Sequence, residues 1–112
     1  MYRNRIVRRY PSTYFRGYVF AGDDMACNCE IKKTNSRVFV YSLYTEEKYR
    51  RQGCATRLLN YIMSYFKNCD MILQVYETNH GARALYDKLG FVELDYQLDQ
   101  YGEKVFRLLK LA

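Results

Sequence analysis

The chain has 112 residues, 49% of them hydrophobic and 17% aromatic, which suffices for one hydrophobic core in a single domain, 1–112, and not for two. With one proline and that apolar content it is no disordered segment, and no apolar run approaches the roughly 18 residues of a membrane span. Its net charge of +6 favours anionic partners, which leaves both nucleic acid and a multiply phosphorylated cofactor open.

The predicted elements, in chain order, begin with a short strand over residues 5–10, closed by Pro11-Ser12. Residues 13–21, rich in Tyr, Phe and Val, form a second strand, and Gly22-Asp23-Asp24 turns the chain. A third strand runs over 25–32, a turn over 33–36, and a strongly β-prone fourth strand over 37–45, which together suggest an antiparallel meander. The period then changes. Ala55, Leu58, Leu59, Ile62 and Phe66 fall on one face of an amphipathic helix, ended by Asn68-Cys69-Asp70.

A strand over 71–77 completes a βαβ unit, whose two strands must be parallel neighbours. Asn79 can cap a second helix over 80–89, with Gly90 as the residue that ends it and Phe91 as its apolar contact. Strands 91–97 and 103–109 close the chain as a hairpin around Asp99-Gln100-Tyr101-Gly102. The expected fold is α+β, a mixed and mostly antiparallel sheet with a central βαβ unit, in the order β-β-β-β-α-β-α-β-β.

The start, Met1-Tyr2-Arg3-Asn4-Arg5, lacks the apolar stretch of a signal peptide. Cys27, Cys29, Cys54 and Cys69 are therefore read as reduced thiols in a cytoplasmic compartment. Only Cys27 and Cys29 pair closely and His80 is the sole histidine, too few ligands for a zinc set, so no metal is expected. Arg3, Arg5, Arg8, Arg9 and Arg16 crowd the basic charge toward the N-terminus.

The most informative stretch is Tyr49-Arg50-Arg51-Gln52-Gly53-Cys54-Ala55-Thr56-Arg57, a glycine turn with basic and amide side chains immediately before a helix. A helix start offers unpaired N–H groups and a positive dipole end, a ready site for a phosphorylated ligand, and Gly53 would let ligand and backbone approach closely.

These residues resemble a motif of the GNAT family of N-acetyltransferases, Arg/Gln-x-x-Gly-x-Gly/Ala, here Arg50-Arg51-Gln52-Gly53-Cys54-Ala55. The run from Leu43 to Tyr49 resembles the strand and loop that lead into it. Downstream, Asn79, Ala82, Leu85-Tyr86 and Leu89-Gly90-Phe91 follow in the order of the family's second landmark. The resemblance covers roughly residues 37–96. Val75-Tyr76-Glu77-Thr78-Asn79 is also similar to the branch that acetylates protein N-terminal amines. One departure stands out: family members usually place two helices between the first two strands, where they form much of the acceptor site, and here only Pro11-Ser12-Thr13 intervenes.

The resemblance implies transfer of acetyl from acetyl-CoA, a co-substrate, directly to a primary amine of a small molecule, peptide or protein, with no metal. It implies that the pyrophosphate lies on backbone N–H groups of residues 51–56, including Gln52, Gly53, Cys54, Ala55 and Thr56, with Arg50, Arg51 or Arg57 adding charge. The pantetheine arm would run along Leu43, Tyr44 and Thr45, and Asn79 would combine helix cap and cofactor contact. Tyr86 would be the general acid that protonates the leaving thiolate, a role suited to a phenol of pKa about 10. Cys54 is read as a small residue filling a tight site. Glu30, Glu77 and His80 are candidates for the general base, none of them assigned.

Other readings compete. A catalytically weak coenzyme A-binding subunit of a complex fits the short N-terminal part. A second copy could complete the cleft, as a homodimer. The absence of a zinc finger, an RNP-like motif or a basic helix speaks against a nucleic-acid binder, and the positive charge mildly disfavours polycationic acceptors.

Overall fold

In the computed structural model, which describes residues 1–112, the chain forms seven strands and two α-helices. The strands are β1 (Tyr2–Arg9), β2 (Tyr14–Ala21), β3 (Asp24–Lys33), β4 (Arg37–Thr45), β5 (Asp70–Tyr76), β6 (Val92–Leu98) and β7 (Lys104–Lys110). Helix α1 (Cys54–Tyr65) joins β4 to β5, and α2 (His80–Lys88) joins β5 to β6. They build one sheet in the order β1-β2-β3-β4-β5-β7-β6, with β7 inserted between β5 and β6. Only the β4–β5 pair is parallel, as the βαβ unit requires.

The first strand departs from its expected bounds. It spans Tyr2–Arg9 rather than 5–10, because it pairs with β2 along its whole length, from Tyr2 opposite Ala21 to Arg9 opposite Tyr14. Its inward set (Tyr2, Asn4, Ile6) is only half-buried, so the alternation that marks a strand is weak in the sequence. The turn between β1 and β2 holds no helix.

Both helices pack on one face of the sheet, and the register shows it. Gly17 faces Leu58 of α1, and a methyl group added there would sit 3.2 Å from Leu58 Cδ1 and from Cys29 Sγ. Gly17 lies opposite Cys29 in β3, Ile31 opposite Val40, Val40 opposite Leu73, and Leu73 opposite Leu108. Phe106, two residues from Leu108, carries the Arg83 guanidinium of α2 5.0 Å from its ring centre. Leu58, Leu59 and Ile62 of α1 are fully buried against this row, each burial contributing about 1.5–3 kcal/mol. No helix covers the other face. There Arg3, Arg5 and Arg9 of β1 stand beside Phe20, Tyr18 and Tyr14 of β2.

Parallel pairing of β4 and β5 runs only from Arg37 opposite Asp70 to Val40 opposite Leu73. Beyond it the strands part. Ser42 takes a left-handed conformation (φ 53°), and the pairing with β3 slips so that Glu30 faces Tyr41 and Asn28 faces Tyr44. This bulge bends β4 away from β5 and opens a V between them. No helix is long and apolar enough to cross a membrane.

The buried thiols give the core a pH limit. Burial holds the Cys27 thiol above its ordinary value and pushes Cys29 up to about 12, and burial likewise raises the Tyr86 phenol. Because these groups bind protons more tightly in the folded state, their contribution is complete below the unfolded thiol value of about 8.5 and is lost as pH rises toward 12. Thermal melting between pH 7 and pH 11 should show a plateau, then a decline approaching about 1.4 kcal/mol per pH unit for each released proton. A flat profile would contradict the burial of these thiols.

Candidate active site

The glycine turn closes a short bridge from β4 to α1. After β4, Glu47–Tyr49 makes one 3-10 turn, and the Tyr49 hydroxyl donates to Asp24 at 2.7 Å. Arg51 and Gly53 then both take positive φ, 63° and 78°, with Gly53 as the N-cap residue of α1. No side chain caps this helix. None of the backbone N–H groups of residues 51–56 donates to a protein acceptor, and the first bond of the helix runs from Arg57 N–H to the Gly53 carbonyl at 2.9 Å. These unbonded donors lie at the positive end of a 12-residue helix, where negative charge is favoured.

Gly53 is glycine for its φ rather than for crowding. A Cβ there would meet nothing within 4 Å, so the surface in front of the turn is open. Cys54 is buried under the turn, 2% exposed, as a small residue in a tight site.

The arginines divide by task. Arg50 Nε donates to the Thr45 carbonyl at 3.0 Å, and its guanidinium lies 5.6 Å from the Tyr44 ring centre, so Arg50 fastens the turn to β4. Arg57 lies 5.1 Å from the Tyr2 ring centre. Gln52 braces the turn from both ends, accepting from the Tyr2 hydroxyl at 2.6 Å and donating to the Lys48 carbonyl at 3.1 Å. Arg51 is exposed and makes no hydrogen bond or salt bridge through its side chain. Among Arg50, Arg51 and Arg57, it is the side chain with no such fixed contact.

Two clefts lie near the C-terminal half of β4, one on each face of the sheet. On the helix face, a cleft of about 170 Å³ is lined by Thr45, Arg51, Gly53, Cys54, Thr56 and Leu85 of α2. On the open face, a cleft of about 350 Å³ is lined by Tyr41, Ser42, Gln74, Tyr76, Gln97 and Asp99, among others. Leu43 is half-buried against the core, while Tyr44 is exposed and directed to the open face opposite Asn28.

Tyr86 is set by the way α2 ends. Gly90 (φ 94°) follows the C-cap residue Leu89; the Gly90 N–H donates to Asp87 and the Phe91 N–H to Tyr86, each at 3.0 Å. This is a Schellman ending, and its apolar contact is the Phe91 ring against the Tyr86 ring, 5.8 Å between centres. Tyr86 is 7% exposed; burial, with the thiols of Cys27 and Cys29 nearby, raises its phenol and keeps it protonated through neutral pH. No protein group hydrogen-bonds its hydroxyl.

At the other end of α2, Asn79 Oδ1 accepts from the Ala82 N–H at 3.2 Å. Asn79→Ala should cost about 1 kcal/mol of stability, read by urea denaturation, and loosen the helix that carries Tyr86. An unchanged midpoint would contradict the cap.

None of the candidate bases lines the open-face cleft. Glu30 pairs with Arg16 at 3.4 Å, Glu77 with Lys104 at 3.8 Å, and His80 lines a groove between α2 and β7 on the helix face. The carboxylate in the cleft is Asp99, which accepts from Tyr101 N–H (2.8 Å), Glu103 N–H (2.9 Å) and the Tyr76 hydroxyl (3.1 Å). These bonds, that from Glu103 foremost, hold it below the usual carboxylate range. Asp99 and Tyr76 were missed in the sequence because 23 residues separate them and only the β5–β7–β6 order brings them together.

The chain thus sets an uncapped helix start beside a parallel strand pair that parts beyond Val40, on an α+β sheet. The chain matches the Acetyltransferase (GNAT) family over residues 8–91, and it belongs to that family. No curated protein sequence matches it. Among solved structures, the ribosomal-protein-S18-alanine N-acetyltransferase of Escherichia coli superposes with a TM-score of 0.80 at 20% identity, over 88% of this chain and 69% of that one. An IAA acetyltransferase from Bacillus cereus gives 0.87 at 11% identity, with 100% of each chain covered. A Bacillus anthracis structure assigned as a streptothricin acetyltransferase, solved with acetyl coenzyme A, gives 0.83 at 17% identity, over 94% of this chain and 66% of that one. At these identities the likeness is one of fold.

Proposed function

We propose that the chain transfers acetyl from acetyl coenzyme A to a primary amine. The observation that carries this reading is the row of backbone N–H groups at residues 51–56 with no protein acceptor, beside a cleft that also takes in Thr45 at the end of β4. These donors, with the free Arg51, fit a pyrophosphate. Acetyl coenzyme A supplies its own activated thioester, so the protein's work is to position, polarise and move protons.

Each residue then has a task. The edge of β4 from Leu43 to Thr45, unpaired on the β5 side, holds an amide-bearing arm as an added strand would and offers N–H groups to a carbonyl. Tyr86 donates its proton to the departing thiolate. Asn79 fixes the start of the helix that carries it. The amine enters from the opposite face, past Tyr41 and Tyr76.

Incubation with acetyl coenzyme A and a panel of amines, followed by mass spectrometry, should yield acceptors heavier by one acetyl group. A second reading, a coenzyme A-binding subunit with weak turnover, is favoured by the lack of any free base in the open-face cleft. It predicts cofactor binding with no acetylated product from any amine in the panel.

A further inference from the structure

We propose that the helix-free face of the sheet docks an acidic polypeptide whose N-terminal α-amine is the acceptor, an inference that rests on the transferase reading. On that face lie Arg3, Arg5, Arg9 and Lys32, none with a carboxylate within 4.0 Å. Of the acidic residues on that face, Glu30 and Asp95 are taken by Arg16 and Arg107, at 3.4 and 2.6 Å, Asp70 accepts from the Ala112 N–H, and Asp99 is held by its three donors. The surface therefore presents free cations on an aromatic floor of Tyr14, Tyr18, Phe20, Phe39 and Tyr41, continuous with the open-face cleft through Tyr41.

Charge selects among the occupants. A second copy would bring these cations against each other. A single-stranded nucleic acid needs bare ring faces for base stacking. Here three of the five rings already carry cations: Arg3 lies 5.0 Å from the Phe20 centre, Arg16 5.9 Å from Tyr18, and Lys32 5.8 Å from Tyr14, while Phe39 and Tyr41 stack on each other. Nucleobase amines also delocalise their lone pair into the ring and are poor nucleophiles. An acidic polypeptide satisfies the free arginines and asks nothing more of the rings.

The cleft chooses the kind of amine. Its carboxylate, Asp99, is committed to three donors and is a weak base. An acceptor that is already partly neutral gains most from such a site. At pH 7 an α-amine of pKa about 7.8 is about one-seventh neutral, whereas an alkyl amine of pKa about 10.4 is neutral in about one molecule in 2,500.

Geometry sets the position of the acidic residues. From the V to β1 is three strand spacings, about 14 Å, which an extended peptide covers in about four residues. Acidic side chains at about positions 4–6 of the acceptor would reach Arg5 and Arg3, which stand across β2 and β3 from the end of β4.

The test uses fluorescence anisotropy with labelled ten-residue peptides blocked by acetyl at the N-terminus, so that binding is read without turnover. One peptide carries Asp or Glu at positions 4–6 and another carries Ser there; a uridine decamer is the third probe. Wild type should bind the acidic peptide at least about tenfold more tightly than the neutral one, with the preference fading as salt is raised. The Arg3→Glu/Arg5→Glu variant, altered only at exposed positions outside the V, should lose that preference, and Arg9→Glu/Lys32→Glu, further along the strands, should weaken it less. With free-amine peptides the same variants should raise KM for the acidic peptide and leave kcat near wild type.

Equal affinity for acidic and neutral peptides, an undiminished preference in both variants, or tighter binding of the uridine decamer would each overturn the proposal. Acetyl coenzyme A is titrated in parallel. Cofactor binding without a peptide preference defeats the docking surface alone, and a peptide preference without cofactor binding defeats the transferase reading alone.

Discussion

Tyr86→Phe is expected to lower kcat about 10²- to 10⁴-fold while affinity for acetyl coenzyme A stays within about threefold. The substitution keeps the ring, and so keeps the contact with Phe91 that closes α2. It removes a hydroxyl to which no protein group is hydrogen-bonded, so melting temperature should barely move. Loss of turnover without loss of fold or cofactor is the pattern of a proton donor to a leaving group. Burial holds this phenol protonated well past neutral pH, which suits a donor and not a base. Unchanged kcat in single-turnover experiments would remove Tyr86 from the chemistry.

Gly53→Glu is expected to weaken acetyl coenzyme A binding by about 100-fold or more, about 2.7 kcal/mol, for two separable reasons. The residue sits at φ 78°, where an L side chain costs about 1–2 kcal/mol, and its carboxylate would stand among the donors of residues 51–56 and repel phosphate. Since nothing lies within 4 Å of the added Cβ, crowding against the protein itself is not part of the loss. Gly53→Asn separates the reasons, because asparagine tolerates the left-handed region and brings no charge. It should bind the cofactor nearly as wild type does, by calorimetry. Equal losses in both variants would show that the side chain itself, and not its charge, weakens binding.

Much of this architecture was readable from local pattern. The helical period from Ala55 to Phe66, the Asn79 cap and the Leu89-Gly90-Phe91 ending are contained in a few consecutive residues each, and all recur in the structure. The glycine turn was readable for the same reason. What depends on distant pairing was not. Nothing near Ser42 announces its left-handed conformation, yet that bulge opens the V and turns both Tyr41 and Tyr44 to one face. The insertion of β7 between β5 and β6, which creates the Tyr76–Asp99 pair, is a choice among topologies of equal local pattern. The tethering of Arg50 to Thr45 and of Arg57 over Tyr2 likewise depends on where β1 and β4 end up, so the motif alone named three arginines where the fold leaves Arg51 free.

The uncovered face follows from a single local fact, the short connection from β1 to β2. Its consequence needed the register, which puts both helices on the side of Gly17 and Phe106 and leaves Arg3, Arg5 and Arg9 on the other.

The central claim is that the backbone donors of residues 51–56 hold the phosphates of acetyl coenzyme A. Its most direct test is a titration of the cofactor into ¹⁵N-labelled protein, following each backbone amide by NMR. The largest shifts should fall at Arg51, Gln52, Gly53, Cys54, Ala55 and Thr56, with smaller ones along Leu43, Tyr44 and Thr45. Shifts centred instead on the groove of His80, Arg83 and Phe106, with the amides of residues 51–56 unmoved, would contradict it.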